Sequence, residues 1–517
     1  MRNCASVSMR QALSMSALCA FLAGCGGGGG SGSSGGGSPI SITVSTTHIA
    51  RPVNTADEAP TAIVQIAVTG QTAAQLYVTS SATHNGVASA ATMSSSAGYV
   101  LTVSFKSPAA VGIGVYNDTV TLNVCNDASC TSPVGNSPQT ITVQYTVTAV
   151  PQSLDAVSFQ ITPTHTGVMN FSSAALPTAS KWSVTFTGVP SYALIAEGKV
   201  FVTVSFGNTS ELVALDQVTG AVAWGPVPIS GVSNAAYDSG TVFLLNSVFG
   251  FSGTLEAFDA ATGALKWSTP LPGQYAFFHS VPTAANGYVL VAGEGSGGTL
   301  YAVKQATGVI AWTQEITTAG NGPPVVTADS VYVTQACSAY DFNLSTGAAV
   351  WSDNISCLSA GGGTSILANG LLYAPVFSDP NHGATMNPQS GTLVGTFVAD
   401  VSPAIALTTG YFLSQGTLKA VDLASNAVAW SFAGDGHLVT APIVVNNYVF
   451  IGSSNGNLYG LDAASGAQLW QMAVGEPILG GPTRSTILPF TGMSAGDGLL
   501  IVPTEYSVIA YTLSTSP

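Results

Sequence analysis

Apolar and polar positions alternate over short runs through most of the chain, and no stretch holds a helical period. Beyond residue 155 the alternation is itself periodic, returning roughly every 40 residues. The clearest unit reads Leu212-Val-Ala-Leu-Asp216-Gln-Val-Thr219-Gly220-Ala-Val-Ala-Trp224. It returns at Leu255–Trp267, Leu300–Trp312 (Lys304 in the Asp place), Ala339–Trp351 (Asn343), Leu418–Trp430 (Ser425-Asn426 for Thr-Gly) and Leu458–Trp470. A degenerate copy near Met386–Gly395 keeps Ser390-Gly391 and loses the Trp. Residues before the Asp alternate as a half-buried strand should. Asp-x-x-Thr-Gly reads as a turn, with the Asp accepting backbone N–H bonds and the Gly supplying a positive φ. The following strand ends in a Trp, whose flat ring and single N–H suit a wedge between sheets. A further strand pair lies upstream, as in Ala441-Pro-Ile-Val-Val and Tyr448-Val-Phe-Ile-Gly, so each unit supplies about four antiparallel strands, a propeller blade.

Seven blades end at or near Trp224, Trp267, Trp312, Trp351, Gly395, Trp430 and Trp470, and an eighth runs from about Gly481 to Pro517. That last blade lacks its outer strand. Lys181-Trp182-Ser-Val-Thr-Phe186 is expected to supply it and close the ring, removing two exposed sheet edges. These motifs resemble the PQQ-like, or quinoprotein-type, propeller repeat. The resemblance implies a fold and not an activity. It also makes Trp182 and the six repeat tryptophans blade-docking residues.

Residues 39–150 carry other strand-like runs, Ile40–Val44, Ala62–Val68, Tyr99–Phe105, Asp118–Val124 and Thr140–Val147, separated by turn-prone stretches. Their spacing predicts a β-sandwich. Tyr116–Cys125, Cys130 and Thr140–Val147 resemble bacterial immunoglobulin-like spacer domains, which implies a terminal hairpin tipped by a small Cys loop. The fold class expected is all-β: an eight-bladed β-propeller over 155–517 preceded by a small immunoglobulin-like β-sandwich.

The first 25 residues follow another logic. Arg2 and Arg10 precede a short apolar stretch, Ala12–Leu22, which is the form of a secretory signal. Leu22-Ala23-Gly24-Cys25 resembles the bacterial lipobox, implying a signal peptide over 1–24 and diacylation of Cys25. Residues 25–38 form a Gly/Ser-rich tether. Gly26 is not the Asp of an inner-membrane retention signal, so the resemblance implies lipid anchoring at the outer membrane, with the periplasmic face expected.

Only 7% of the 517 residues are charged, yet mean hydropathy is +0.40 and no run of 18 apolar residues occurs, which argues against a transmembrane helix. Net charge is −14, near −16 once Arg2 and Arg10 leave, and nucleic acid is excluded as a partner. Cys4 and Cys19 depart with the signal. Cys125, Cys130, Cys337 and Cys357 remain, an even number that suggests two disulfides in an oxidising compartment. The local pairs Cys125–Cys130 and Cys337–Cys357 are the simplest of three pairings. No CxxC or neighbouring His supports a metal.

Quinoprotein dehydrogenases share this repeat and add a vicinal Cys pair, calcium-binding carboxylates and often a haem. No two cysteines are adjacent here, no CxxCH occurs, and the six histidines lack ligand spacing. His165, in Thr164-His-Thr-Gly167, resembles a stretch preceding the first blade of related propellers, which implies a structural role. No catalytic residue, cofactor or metal ligand is assigned, and PQQ with calcium is unsupported. The expected function is a monomeric, non-catalytic scaffold binding an envelope protein or glycan. It resembles the barrel-assembly accessory BamB family, although that family lacks an immunoglobulin-like domain. A surface lipoprotein that binds glycans or proteins and a PQQ-dependent dehydrogenase-like quinoprotein are the alternatives.

Overall fold

The computed structural model describes residues 39–54, 59–70, 75–95, 98–111, 114–148, 154–248, 252–272, 281–293, 298–316, 322–334, 338–353, 363–375, 383–480 and 489–513. The signal segment, Cys25, the tether, Cys337 and Cys357 lie outside them. Apart from one helical turn, Pro108–Val111, the regular elements described are strands. The chain divides into two units, Met1–Gln152 and Ser153–Pro517.

The first unit holds two four-stranded sheets. One runs in the order Ser41–Val44, Thr61–Thr69, Gly98–Phe105, Val87–Ser95. The other runs His48–Asn54, Gln139–Thr148, Gly114–Cys125, Tyr77–Ala82, its first pair parallel. Alternation sets the faces: in Thr61–Thr69, Ala62, Val64 and Ile66 are buried while their neighbours are exposed. These residues join Leu101, Val103, Leu122, Ile141 and Tyr145 in one core. The strands His48–Asn54, Tyr77–Ala82 and Val87–Ser95 escape a sequence reading. The first carries Arg51 and Pro52, and the other two are built from Ser, Thr and Ala, which give little contrast between faces. Asp118 pins the connection between those last two strands. Its carboxylate accepts bonds from Thr83 Oγ1 (2.6 Å) and from the amides of Asn85, Gly86 and Val87 (2.7–2.9 Å). Burial alone would raise its pKa, and these four donors lower it instead.

The second unit contains eight sheets among the described residues, antiparallel except where Val168–Met169 adds a parallel pairing to Ile443–Val445. We number them by chain order of their inner strands: Leu194–Ala196, Ala235–Asp238, Thr283–Ala285, Val325–Val326, Ile366–Ala368, Ala404–Ala406, Ile443–Val445 and Ser494–Gly496. Inner strands of successive sheets lie against one another from the first to the fourth and from the fifth to the eighth, and the eighth returns to the first. The eighth sheet takes its outer strand from far upstream: Ser180–Thr185 pairs antiparallel with Ser507–Thr512, Trp182 opposite Ala510. The second strand of each sheet is almost wholly buried, as in Leu499–Pro503, and reads as a plain apolar run. Outer strands such as Ile310–Ile316 alternate half-buried and exposed positions, so one face docks on the next sheet.

Candidate functional site

The repeat residues meet at the junctions between sheets. In each intact junction the Trp of one outer strand lies over the turn Gly of the next sheet. A Cβ added to Gly220, Gly263, Gly308, Gly347, Gly391 or Gly466 would stand 2.5–2.8 Å from the ring of Trp182, Trp224, Trp267, Trp312, Trp351 or Trp430 respectively. The indole N–H donates to the carbonyl one residue after the turn Asp or its equivalent: Gln217, Ala260, Gln305, Leu344, Pro388 and Ala463, at 2.7–3.1 Å. Trp470 packs edge-on against Tyr511 of the eighth sheet, at 5.6 Å. The turns are preset by their own side chains. Asp216 Oδ1 accepts from the Thr219 hydroxyl at 2.7 Å and its amide at 2.8 Å, which hold the carboxyl below its usual pKa. Asp259, Asp422 and Asp462 repeat this, and Asn343 does so without charge. The tryptophans therefore join sheets, and they do not converge on a catalytic centre.

A second feature was largely hidden from the sequence. Residues 154–169 run as a strap along the inner strands. Ala156 exchanges both backbone bonds with Ile195. The carbonyls of Leu154, Val157, Pro163, Thr164, Thr166 and Gly167 accept from Asp497, Tyr237, Val326, Leu367, Ile405 and Val444, at 2.8–3.0 Å. One segment thus stitches the inner edges of seven sheets. Its only sequence signal was Thr164-His165-Thr166-Gly167. His165 is fully buried, with Nδ1 2.8 Å from the Phe159 carbonyl and Nε2 3.1 Å from that of Pro324. Burial depresses its pKa to about 4 against the opposing pull of those carbonyls. Beside the strap a cavity of about 390 Å³ is lined by Asp155, Tyr237, Asp238 and Asn286. Gln305 Nε2 and Ser239 Oγ already donate to the Asp238 carboxylate.

A calcium-and-quinone centre needs converging carboxylates and free edges for the ligand. Among the described residues no three of His, Cys, Asp and Glu converge in a group able to hold a metal. The buried polar atoms without partners along the strap and inner strands, Ser158 Oγ, Gln160 Oε1 and Nε2, Asn234 Nδ2 and Thr283 Oγ1, belong to neutral groups. In seven of the eight sheets an amide at or beside the inner strand is spent on the strap. The described residues do not fit that centre.

Cys125, at the end of Gly114–Cys125, and Cys130, in the connection to Gln139–Thr148, have Cα atoms 5.1 Å apart, within the span of a disulfide. No helix among the described residues is long and apolar enough to cross a membrane.

Known proteins place this geometry. The structure of BamB from Moraxella catarrhalis superposes with a TM-score of 0.51 at 16% identity, covering 66% of this chain and 99% of its own. A europium-containing methanol dehydrogenase gives 0.52 at 14% identity, covering 67% and 89%. Both likenesses concern the fold. Tetrathionate hydrolase of Acidithiobacillus ferrooxidans is 26% identical over 157 residues, and this chain spans only 28% of its length. Residues 178–276, 252–396 and 384–515, which contain the junctions just described, match the PQQ_2 family, described as outer membrane protein assembly factor BamB. With its repeats matched from 178 to 515, the chain belongs to that family.

Proposed function

We propose that the protein is a lipid-anchored, non-catalytic scaffold of the bacterial cell envelope, whose eight sheets form one eight-bladed propeller that binds another envelope protein. The observation that carries this reading is membership of the family described as outer membrane protein assembly factor BamB. Cys25 holds the lipid after removal of residues 1–24, and residues 25–38 are the tether. Residues 39–150 are an immunoglobulin-like spacer, and the protein works as a monomer on the periplasmic side of the outer membrane. Disulfides Cys125–Cys130 and Cys337–Cys357 belong to this reading, and the 5.1 Å Cα separation of the first supports it. Crosslinking in intact cells followed by identification of the captured protein tests the scaffold. Recovery of the barrel-assembly machinery is expected, and its absence from the crosslinked products sinks the assembly role.

The second reading is a quinoprotein oxidoreductase, which rests on the shared repeat alone, since the likeness to methanol dehydrogenase is one of fold. Adding PQQ with Ca²⁺ while following thermal unfolding separates the two. The scaffold reading expects no change in melting temperature, and a rise of several degrees favours the oxidoreductase.

A further inference from the structure

One junction breaks the pattern on both sides at once. Between the fifth and sixth sheets the Trp position is Gly395, opposite Thr385 just as Trp312 is opposite Ala302. The turn Gly of the sixth sheet is replaced by Asn426, at φ +57°. A Cβ on Gly395 would meet nothing within 4 Å. Where the other junctions seat an indole, this one has a cavity of about 450 Å³, a size suited to a small molecule.

The aromatic wall of the seat remains. Trp224 rests 5.8 Å from Phe201 of its own sheet and Trp430 5.7 Å from Tyr411. Tyr373 holds the corresponding register position in the fifth sheet, opposite Thr385, and is 3% exposed. Phe397 turns toward it, 5.8 Å from Tyr373 and 5.5 Å from Phe412, and all three rings line the cavity without filling it. Lys419 lines the same space, and among the described residues the one ion pair is elsewhere, between Lys266 and Asp259. Lys419 is exposed and has no ion pair among the described residues, in a chain with 24 acidic and 10 basic residues. An aromatic wall accepts a flat ring, and an unneutralised ammonium at its side selects an anion.

We propose that this cavity is a binding site for a planar, indole-sized aromatic carboxylate. The ring lies in the space that remains at this junction, against Phe397, which itself bridges Tyr373 and Phe412, and the carboxylate turns to Lys419. The site lies at a sheet junction, away from the strap, and does not depend on the scaffold reading.

Calorimetric titration of the full chain with indole-3-acetate and with neutral indole tests this. Indole-3-acetate is expected to bind with a Kd below about 1 mM and indole several-fold more weakly. Gly395→Trp, whose Cβ would meet nothing within 4 Å, puts a ring into this space and is expected to weaken both ligands at least about tenfold while the protein stays folded by circular dichroism. Lys419→Gln is expected to bring indole-3-acetate down to the affinity of indole and leave indole unchanged. No binding by the parent protein at ~10 mM ligand overturns the site. Undiminished binding by Gly395→Trp overturns its location, and undiminished indole-3-acetate binding by Lys419→Gln overturns the ligand class.

Discussion

Glycine in the Asp-x-x-Thr-Gly turn answers two demands, one from its own backbone and one from the neighbouring ring. The two can be measured separately. Gly198 has φ +70° and nothing within 4 Å of an added Cβ, so Gly198→Ala reports the conformational cost alone, about 1 kcal/mol. Gly263 has φ +74°, but its Cβ would stand 2.6 Å from Trp224. Gly263→Ala is expected to lower stability by about 2–4 kcal/mol in urea unfolding, the excess over Gly198→Ala being the displaced ring. Asp341 makes the opposite kind of exception. It stands opposite Trp351 where other repeats carry Ala214, Ala257, Ala302, Ala420 or Gly460. Burial pushes its pKa up to about 6, with Ser330 pulling weakly the other way. A folded-state pKa above the unfolded value means the native state holds the extra proton, so stability falls as pH rises from about 4 through 6. Asp341→Asn is expected to raise the melting temperature at pH 7.5, by the equivalent of about 1–2 kcal/mol, and to make no difference at pH 4.

Strands and their connections show where sequence reasoning ran out. Outer strands and turns were legible because Trp and Thr-Gly recur at fixed spacing, and the donor of the closing strand could be named from Trp182. Inner strands such as Thr283–Ala285 and Val325–Val326 are two or three buried residues long, too short for any period to show. The strap was opaque for a different reason: its partners are backbone amides spread over 300 residues, and carbonyl acceptors carry no side-chain signature. The altered junction lay between these extremes. Loss of the Trp near Gly395 and the Ser425-Asn426 turn were both visible, but only the fold shows that they face one another. Restoring both halves in Gly395→Trp with Asn426→Gly is expected to rebuild the junction and raise the melting temperature by a few degrees, while Gly395→Trp alone gains less because Asn426 crowds the ring. Deleting residues 180–186 is expected to leave Ser507–Thr512 as an open edge, and light scattering should then report species at least twice the mass of the parent protein.

At the scale of the whole molecule the family assignment speaks to the propeller, and the anchor must be tested separately. Cys25→Ser is expected to move the protein from the membrane fraction to the soluble fraction without changing its melting temperature, since a lipid anchor acts on location and not on the fold. The N-terminal unit has its own core and its own dependence on Asp118. Asp118→Ala leaves the amides of Asn85, Gly86 and Val87 without an acceptor, the last two buried, and is expected to lower the stability of that unit by about 3–5 kcal/mol, read as an earlier first step in a two-step unfolding curve. The closing strand, finally, bears on how the molecule comes into being. Thr185 and Ser507 share a hydrogen bond across 322 positions of sequence. Synthesis delivers one of them long before the other, so a nascent chain carries an unmatched strand until Ser507–Thr512 emerges. Such distant pairing is slow to form, and the early strand is a hazard during the wait. Any assistance this protein receives while folding is most needed by the segment around Trp182, the first part of the ring to be made and the last to find its partner.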